Sequence, residues 1–217
     1  MIDQYSLFEL LKKYGINHKN IVSYKKDLLM DKAVFEDIVK VCGELGISLS
    51  GTVFLRDASE IRRIHTVCQK YGIEISANVF KKSADEIEDI TKVCEKYGLD
   101  VSATIFKKSA SSLDKSMGYV LENYGRSYLT PLIVVNDSNH LKKVFPYLDG
   151  KGVLPAVVPS PALLSLKFDE ILEREKLIAS CGESDVVKGR FNPIYGLSRK
   201  KYDEKKKEIE LRGVASK

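Results

Sequence analysis

SGTVFLRDASEIRRIHTVCQKYGIEI (residues 50–75) is followed at once by SANVFKKSADEIEDITKVCEKYGLDV (76–101) and by the opening of a third copy, SATIFKKSA (102–110). Phe54, Phe80 and Phe106 coincide at a period of 26 residues, as do Cys68 with Cys94 and Gly72 with Gly98. Self-similarity at a fixed period of this size is the mark of a repeat array, in which one unit cannot bury its apolar face alone and stacks on its neighbours.

Within a copy, Ile61, Ile64, Cys68 and Tyr71 fall three, four and three residues apart, one stripe along a helix. An apolar anchor lies 11 residues before a glycine, and the same rule links Phe35 to Gly46, Ile87 to Gly98, Leu141 to Gly152, Ile171 to Gly182 and Tyr202 to Gly213. Leu113 with Gly125 is one residue longer. Seven repeats follow, ending at Gly46, Gly72, Gly98, Gly125, Gly152, Gly182 and Gly213, with residues 1–20 as an N-terminal remnant ending its own helix at Gly15, and 214–217 as a frayed tail.

Four residues before each anchor stands a helix-capping side chain: Asp31, Asp57, Ser83, Ser109, Asp137 and Ser198, with Lys167 the exception. Ser83 is followed by Glu86, a capping box, and the glycine supplies the left-handed backbone that stops the helix. Between glycine and next cap lies a shorter segment, SANVFKK or SATIFKK. Later copies open it with Thr130-Pro131, Ser160-Pro161 and Asn192-Pro193, and a capping residue before proline starts a helix. Valine and isoleucine recur there, so strand is the competing assignment, but the prolines suit a helix better than a sheet. The expectation is an all-α chain: a right- or left-handed α-solenoid of about seven two-helix repeats, each a long helix of roughly four turns and a short one of roughly two, with essentially no strand. The last two repeats lengthen, the extra residues lying around VLPAVVPS and ESDVVKGRF.

The later repeats, SPALLSLKFDEILEREKLIASCG and NPIYGLSRKKYDEKKKEIELRG, resemble the repeat of the mitochondrial transcription termination factors: a proline, a leucine pair, a polar cap, then a helix ending in glycine. In periodicity the resemblance covers nearly the whole chain, although the proline occurs only at 131, 161 and 193. It implies a curved α-solenoid and nucleic-acid binding through a basic surface. The central repeats are shorter than the family's, and the body lacks a large positive charge.

Apolar residues make up 44% and charged residues 30%, an ordinary balance for a folded domain. The N-terminus has neither a secretory signal nor an Arg-rich presequence, and the longest apolar runs, such as LIVV (132–135), fall far short of the roughly 20 residues of a membrane span. A cytoplasmic protein without membrane contact is expected. Three of the four cysteines, Cys42, Cys68 and Cys94, are spaced one repeat apart, which reads as a buried ladder, not a metal or disulfide framework; Cys181 stands outside that register.

No catalytic constellation emerges. His18, His65 and His140 share no register, there is no phosphate-binding glycine loop, and acidic runs such as DEIED (85–89) supply carboxylates to a helix first turn. No enzyme activity, cofactor or metal is expected. The net charge of +5 is uneven: from residue 186 onward ten Lys or Arg face four Asp or Glu, so the remaining body is close to neutral.

Two basic groups nonetheless stand out. Arg56, Lys81 with Lys82, and Lys107 with Lys108 occupy matching places at the junction of short and long helix, so stacked repeats would line them along one edge. Lys188, Arg190, Arg199, Lys200 and Lys201, with Lys205–Lys207 behind them, form a second cluster. Rows of this kind bind phosphate backbones by releasing counterions. They point to DNA or RNA as partner. The alternatives are a solvated face with lysines placed favourably at helix ends, or a protein-interaction scaffold on the same concave surface. Tyr71, Tyr97 and Tyr124, each before a glycine, fit helix-end packing better than base stacking.

Overall fold

A computed structural model describes residues 4–16 and 29–215, with side chains from 5–16 and 30–209; His18 lies outside the described residues. The chain is mostly helical. Helices α1 (Leu7–Lys13), α2 (Lys32–Leu45), α3 (Ala58–Lys70), α4 (Ala84–Tyr97), α5 (Ala110–Tyr124), α6 (Pro131–Val134), α7 (Ser138–Gly150), α8 (Phe168–Ser180) and α9 (Arg199–Ala215) follow in order. Two short antiparallel ladders join them: β1 (Gln4–Ser6) pairs with β2 (Leu29–Asp31), and β3 (Val186–Val187) with β4 (Arg190–Phe191). These short ladders are the little strand among the described residues, and the helical remainder is consistent with the all-α expectation. Contacts divide the chain into two compact units, residues 1–113 and 114–217, the boundary falling within α5.

Apart from the end of α9, the long helices start and stop where the residue pattern places them. Asp57 accepts from the Glu60 N–H at 2.8 Å, Asp31 from Ala33 at 2.7 Å and Asp137 from Asn139 at 2.8 Å. At α4 the box is complete: the Glu86 N–H donates to Ser83 Oγ at 3.2 Å and the Ser83 N–H to Glu86 Oε2 at 2.9 Å. Lys167 has no capping oxygen, and α8 keeps half of the box, the Lys167 N–H donating to Glu170 at 3.0 Å.

At the other end Gly46, Gly72 and Gly98 take φ values of 66°, 63° and 60°. The residue after each one reaches back to the carbonyl of the ladder cysteine: Ile47 to Cys42 at 2.9 Å, Ile73 to Cys68 at 2.8 Å, Leu99 to Cys94 at 2.9 Å. This is the six-to-one closure of a helix end, which needs a left-handed residue at its centre. Gly125 differs, at φ 85° and ψ 176°, and its N–H donates to Val120 and Leu121. The extra residue in that repeat is thus absorbed at the helix end. Gly213 lies inside α9, which runs on to Ala215, so that helix does not stop at its glycine.

The short segments are one turn, not two. Val79, Lys81 and Lys82 donate to Ser76, Asn78 and Val79 respectively, bonds three residues apart that close a 3₁₀ turn over Val79–Lys81; Val53–Leu55 and Ile105–Lys107 repeat it. Ten residues between a glycine stop and the next cap leave room for this turn and two extended flanks. Three-fold winding sends the apolar pair inward: Val53, Val79 and Ile105 are fully buried, Phe54, Phe80 and Phe106 nearly so. Phe35 stacks on Phe54 with ring centroids 5.0 Å apart. Where proline opens the segment, Pro131 starts the four-residue α6, while Pro161 and Pro193 start 3₁₀ turns.

In the first unit α2 packs on α3 and α3 on α4, burying Phe35, Ile38, Ile61, Ile64, Cys68, Ile87, Ile90 and Cys94. In the second, α7 packs on α8 around Leu141, Val144, Phe145, Ile171 and Ile178. There Arg174, 2% exposed, donates through Nη1 to the carbonyls of Ile194 (2.8 Å), Tyr195 (3.1 Å) and Leu197 (2.8 Å) and lies 4.9 Å from the Tyr202 ring. That buried cation holds the last 3₁₀ turn against α8.

Candidate nucleic-acid interface

The ladder residues occupy equivalent places on successive 3₁₀ turns, and their spacing separates two rows. Arg56, Lys82 and Lys108 cap the turns in extended backbone, whereas Lys81 and Lys107 are the last residues of the turns, at the place held by Leu55 in the preceding repeat. The turns are tied together. Arg56 Nε donates to the Phe80 carbonyl at 3.0 Å, Asn78 Nδ2 to the Ala103 carbonyl at 3.4 Å, and the turns at 53–55 and 79–81 pack on one another.

The two rows do different work. Arg56 spends a donor on the next repeat's backbone, and Lys82, its side chain 16% exposed, pairs with Glu86 at 3.3 Å. Lys81 is exposed, its Nζ resting on Asn78 Oδ1 at 3.3 Å. Lys107 is exposed and Lys108 half-buried, and neither is within ion-pairing distance of a carboxylate among the described residues.

Nearby acids are occupied elsewhere. Asp85 pairs with Arg63 at 2.7 Å, Glu60 with Arg63 at 2.8 Å and with the Ala84 N–H at 2.7 Å, and Glu88 with Lys70 at 2.9 Å and the Tyr71 hydroxyl at 3.1 Å. Glu86 is held below the usual carboxylate range first by the Ser83 N–H, with Lys82 adding to it. Asp57 is lowered likewise by the Glu60 N–H and the Ser59 hydroxyl. These acids are directed at partners within the repeats, and Lys81, Lys107 and Lys108 have no carboxylate at ion-pairing distance among the described residues.

The second basic group is split between a hairpin and a helix. Lys188 and Arg190 are exposed on the β3–β4 hairpin, and Lys200 and Lys201 on the first turn of α9. Arg199 is enclosed by acids: Glu173 at 2.9 Å, Asp203 at 3.2 Å and Glu170 at 3.9 Å; Lys206 also reaches Glu173, at 3.4 Å, and Lys205 reaches Glu208, at 3.3 Å. Glu173 is lowered chiefly by Arg199. Arg199 and Lys206 thus tie α9 to α8 while Lys205 pairs within α9, and Lys188, Arg190, Lys200, Lys201 and Lys207 have no carboxylate at ion-pairing distance among the described residues.

The cysteines, His140 and the helix-end tyrosines pack within the repeats. Burial pushes the Cys68 and Cys94 thiols up to about 11 and raises Cys42 as well. Burial lowers His140, whose Nε2 has no partner. Tyr71 and Tyr124 are half-buried, and Tyr124 meets Phe145 edge to face at 5.0 Å. No group of three or more His, Cys, Asp or Glu positioned to hold a metal occurs among the described residues, and no described helix is long and apolar enough to cross a membrane.

Among the described residues of the first unit, an apolar and a more polar concavity stand out. One of about 410 Å³ is open and lined by Met30, Val34, Ile38, Phe54 and Leu55 with Arg56 and Asp57 at its edge. The other, about 250 Å³, lies between Gly46, Ser50, Ser76 and Phe80.

Residue order alone did not disclose Asn78 as a prop for Lys81, Arg174 as the buried tie, or the hairpin. The hairpin did leave a trace, since VVKGRF sets β-branched residues before a two-residue turn containing glycine. Compared with protein-family models, with curated proteins and with solved structures, the chain finds no match. The resemblance to the termination factors therefore rests on the quoted repeats alone.

Proposed function

We propose that this chain is a non-enzymatic, cytoplasmic α-solenoid of seven termination-factor-like repeats that binds nucleic acid by its phosphate backbone. Lys81, Lys107 and Lys108 would make the contact on the first unit, and Lys188, Arg190, Lys200 and Lys201 on the second. The observation that carries the reading is the sorting of charge at the 3₁₀ turns. Each neighbouring acid is consumed by a cap or an inter-repeat ion pair, while three lysines at repeating positions keep their charge unspent. Phosphates are recognised by such positioned cations, and the gain comes from released counterions and not from base reading.

The test is an anisotropy titration of wild type and the triple variant Lys81→Ala, Lys107→Ala, Lys108→Ala at several salt concentrations. Wild-type affinity should fall with salt, and the variant's log–log slope should be shallower by roughly 0.7–0.9 per lost phosphate contact. Lys82 stays in place because it pairs with Glu86, the acid of the α4 capping box. A wild type that binds neither DNA nor RNA at micromolar concentration in low salt ends this reading. A protein-interaction scaffold is the second reading, favoured by the open groove in which Val34 and Leu55 are 43% and 42% exposed.

A further inference from the structure

The insertion before the last 3₁₀ turn is a hairpin with a fixed base and a bare, basic tip. Val186 pairs with Phe191 and Val187 with Arg190, leaving Lys188 and Gly189 as the two central residues at φ 51° and 72°. Two successive positive φ values give the turn whose twist matches that of paired strands, and glycine takes such a conformation freely whereas lysine does so under strain.

The base is tied at many points. Asp185 accepts from Lys151 Nζ at 2.6 Å and from the Tyr195 hydroxyl at 2.8 Å, and its carbonyl accepts from the Asn192 N–H at 2.8 Å. Asn192 Nδ2 donates to Glu183 at 2.8 Å and to the Ser184 carbonyl at 3.2 Å. Lys151 also pairs with Glu175, which accepts from the Tyr147 hydroxyl. Glu175, Glu183 and Asp185 are thereby directed at the base. At the tip Lys188 and Arg190 are exposed without a carboxylate partner among the described residues, and Val187 is 46% exposed beside them.

We propose that this hairpin is a contact for duplex DNA, its tip of Val187, Lys188 and Arg190 entering the major groove. The inference rests on the nucleic-acid reading above and names the form of nucleic acid. A major groove about 12 Å wide admits a two-stranded ribbon, with cations reaching phosphates or guanine edges and an apolar side chain meeting a thymine methyl. The deep, narrow groove of A-form RNA does not admit it. A single strand is held on aromatic faces, which this tip lacks. A tip held rigid at its base has little ordering left to lose on docking.

The experiment compares the full chain with the double variant Lys188→Gly, Arg190→Gln by anisotropy against a 20-base-pair duplex DNA, one of its strands, a duplex RNA of the same sequence and a polyglutamate peptide. Lys188→Gly keeps the turn, and unchanged circular dichroism and melting temperature establish that both proteins are folded. Duplex DNA affinity should fall about tenfold or more in moderate salt and the salt slope by roughly 1.8, twice the figure for one phosphate on B-form DNA, with little change for single-stranded DNA or duplex RNA. Wild type binding duplex DNA with an unchanged variant overturns this inference alone. So does an equal loss on all nucleic acids, which would mean bulk charge, or equal binding and loss with polyglutamate, which would mean an acidic protein partner. Wild type binding no nucleic acid overturns the underlying reading as well.

Discussion

Gly72 owes its place to backbone conformation alone. An added Cβ at Gly72 would meet nothing within 4 Å, so a substitution there is costly only because φ is +63°. Gly72→Val should destabilise by about 1–3 kcal/mol, lowering the melting temperature by several degrees, whereas Gly72→Asn should cost clearly less, since asparagine tolerates the left-handed region. Equal losses for the two would locate the penalty in packing. Cys42, Cys68 and Cys94 follow the same register for a related reason: each gives the carbonyl that closes the helix and fills a buried place with a small thiol. With Cys68 and Cys94 raised to about 11, roughly one molecule in a thousand carries the thiolate at pH 8. A chromogenic disulfide reagent should therefore label Cys181, which is part-exposed, in the native protein, and reach Cys42, Cys68 and Cys94 only on unfolding.

At the scale of the element, one repeat is a capped helix followed by a tight apolar turn, and the cap is its most testable part. Ser83→Ala removes the acceptor for the Glu86 N–H and should cost about 1 kcal/mol in urea unfolding. Asp57 and Glu86 are both lowered in the folded state, so their stabilisation is present in full above the unfolded value near pH 4 and is lost as pH falls through the folded value. The melting temperature should thus drop below about pH 4, and Glu86→Gln should flatten that acid limb. An unaltered acid limb in the variant would assign the loss to other carboxylates. The 3₁₀ turn does for the lysines what the long helix does for its stripe: Val79 and Phe80 go inward, Lys81 stays out.

For the molecule as a whole, the decisive ties run between repeats and not within them. Arg56 to Phe80, Glu60 to Ala84, Arg63 to Asp85 and Lys70 to Glu88 each join neighbours in the first unit. Exposed ion pairs contribute little individually, so stability should rest on the buried stripe. Ile87→Ala, at a fully buried place, should cost about 2–5 kcal/mol, far more than Arg63→Ala in the same unfolding assay. In the second unit Arg174→Ala would leave two buried carbonyls and one part-buried carbonyl without their donor, and a loss of about 1–3 kcal/mol or more is expected.

The sequence by itself determined the helices, because their signals are local: a capping oxygen, a stripe at helical spacing and a glycine needing positive φ act within about 15 residues, and Asp57, Ile61, Ile64 and Gly72 carry all three. The winding of SANVFKK lay beyond it, since valine and lysine suit several conformations and only the burial of Val79 and Phe80 against neighbouring repeats selects a single 3₁₀ turn. The basic residues show the same division. Their register was legible in the repeat, but which cations remain free was decided largely by acids far along the chain, as with Arg199 against Glu173, 26 residues away, and Lys151 against Asp185, 34 residues away. Pairing of charges depends on distance in space, and distance in space is set by how the repeats pack.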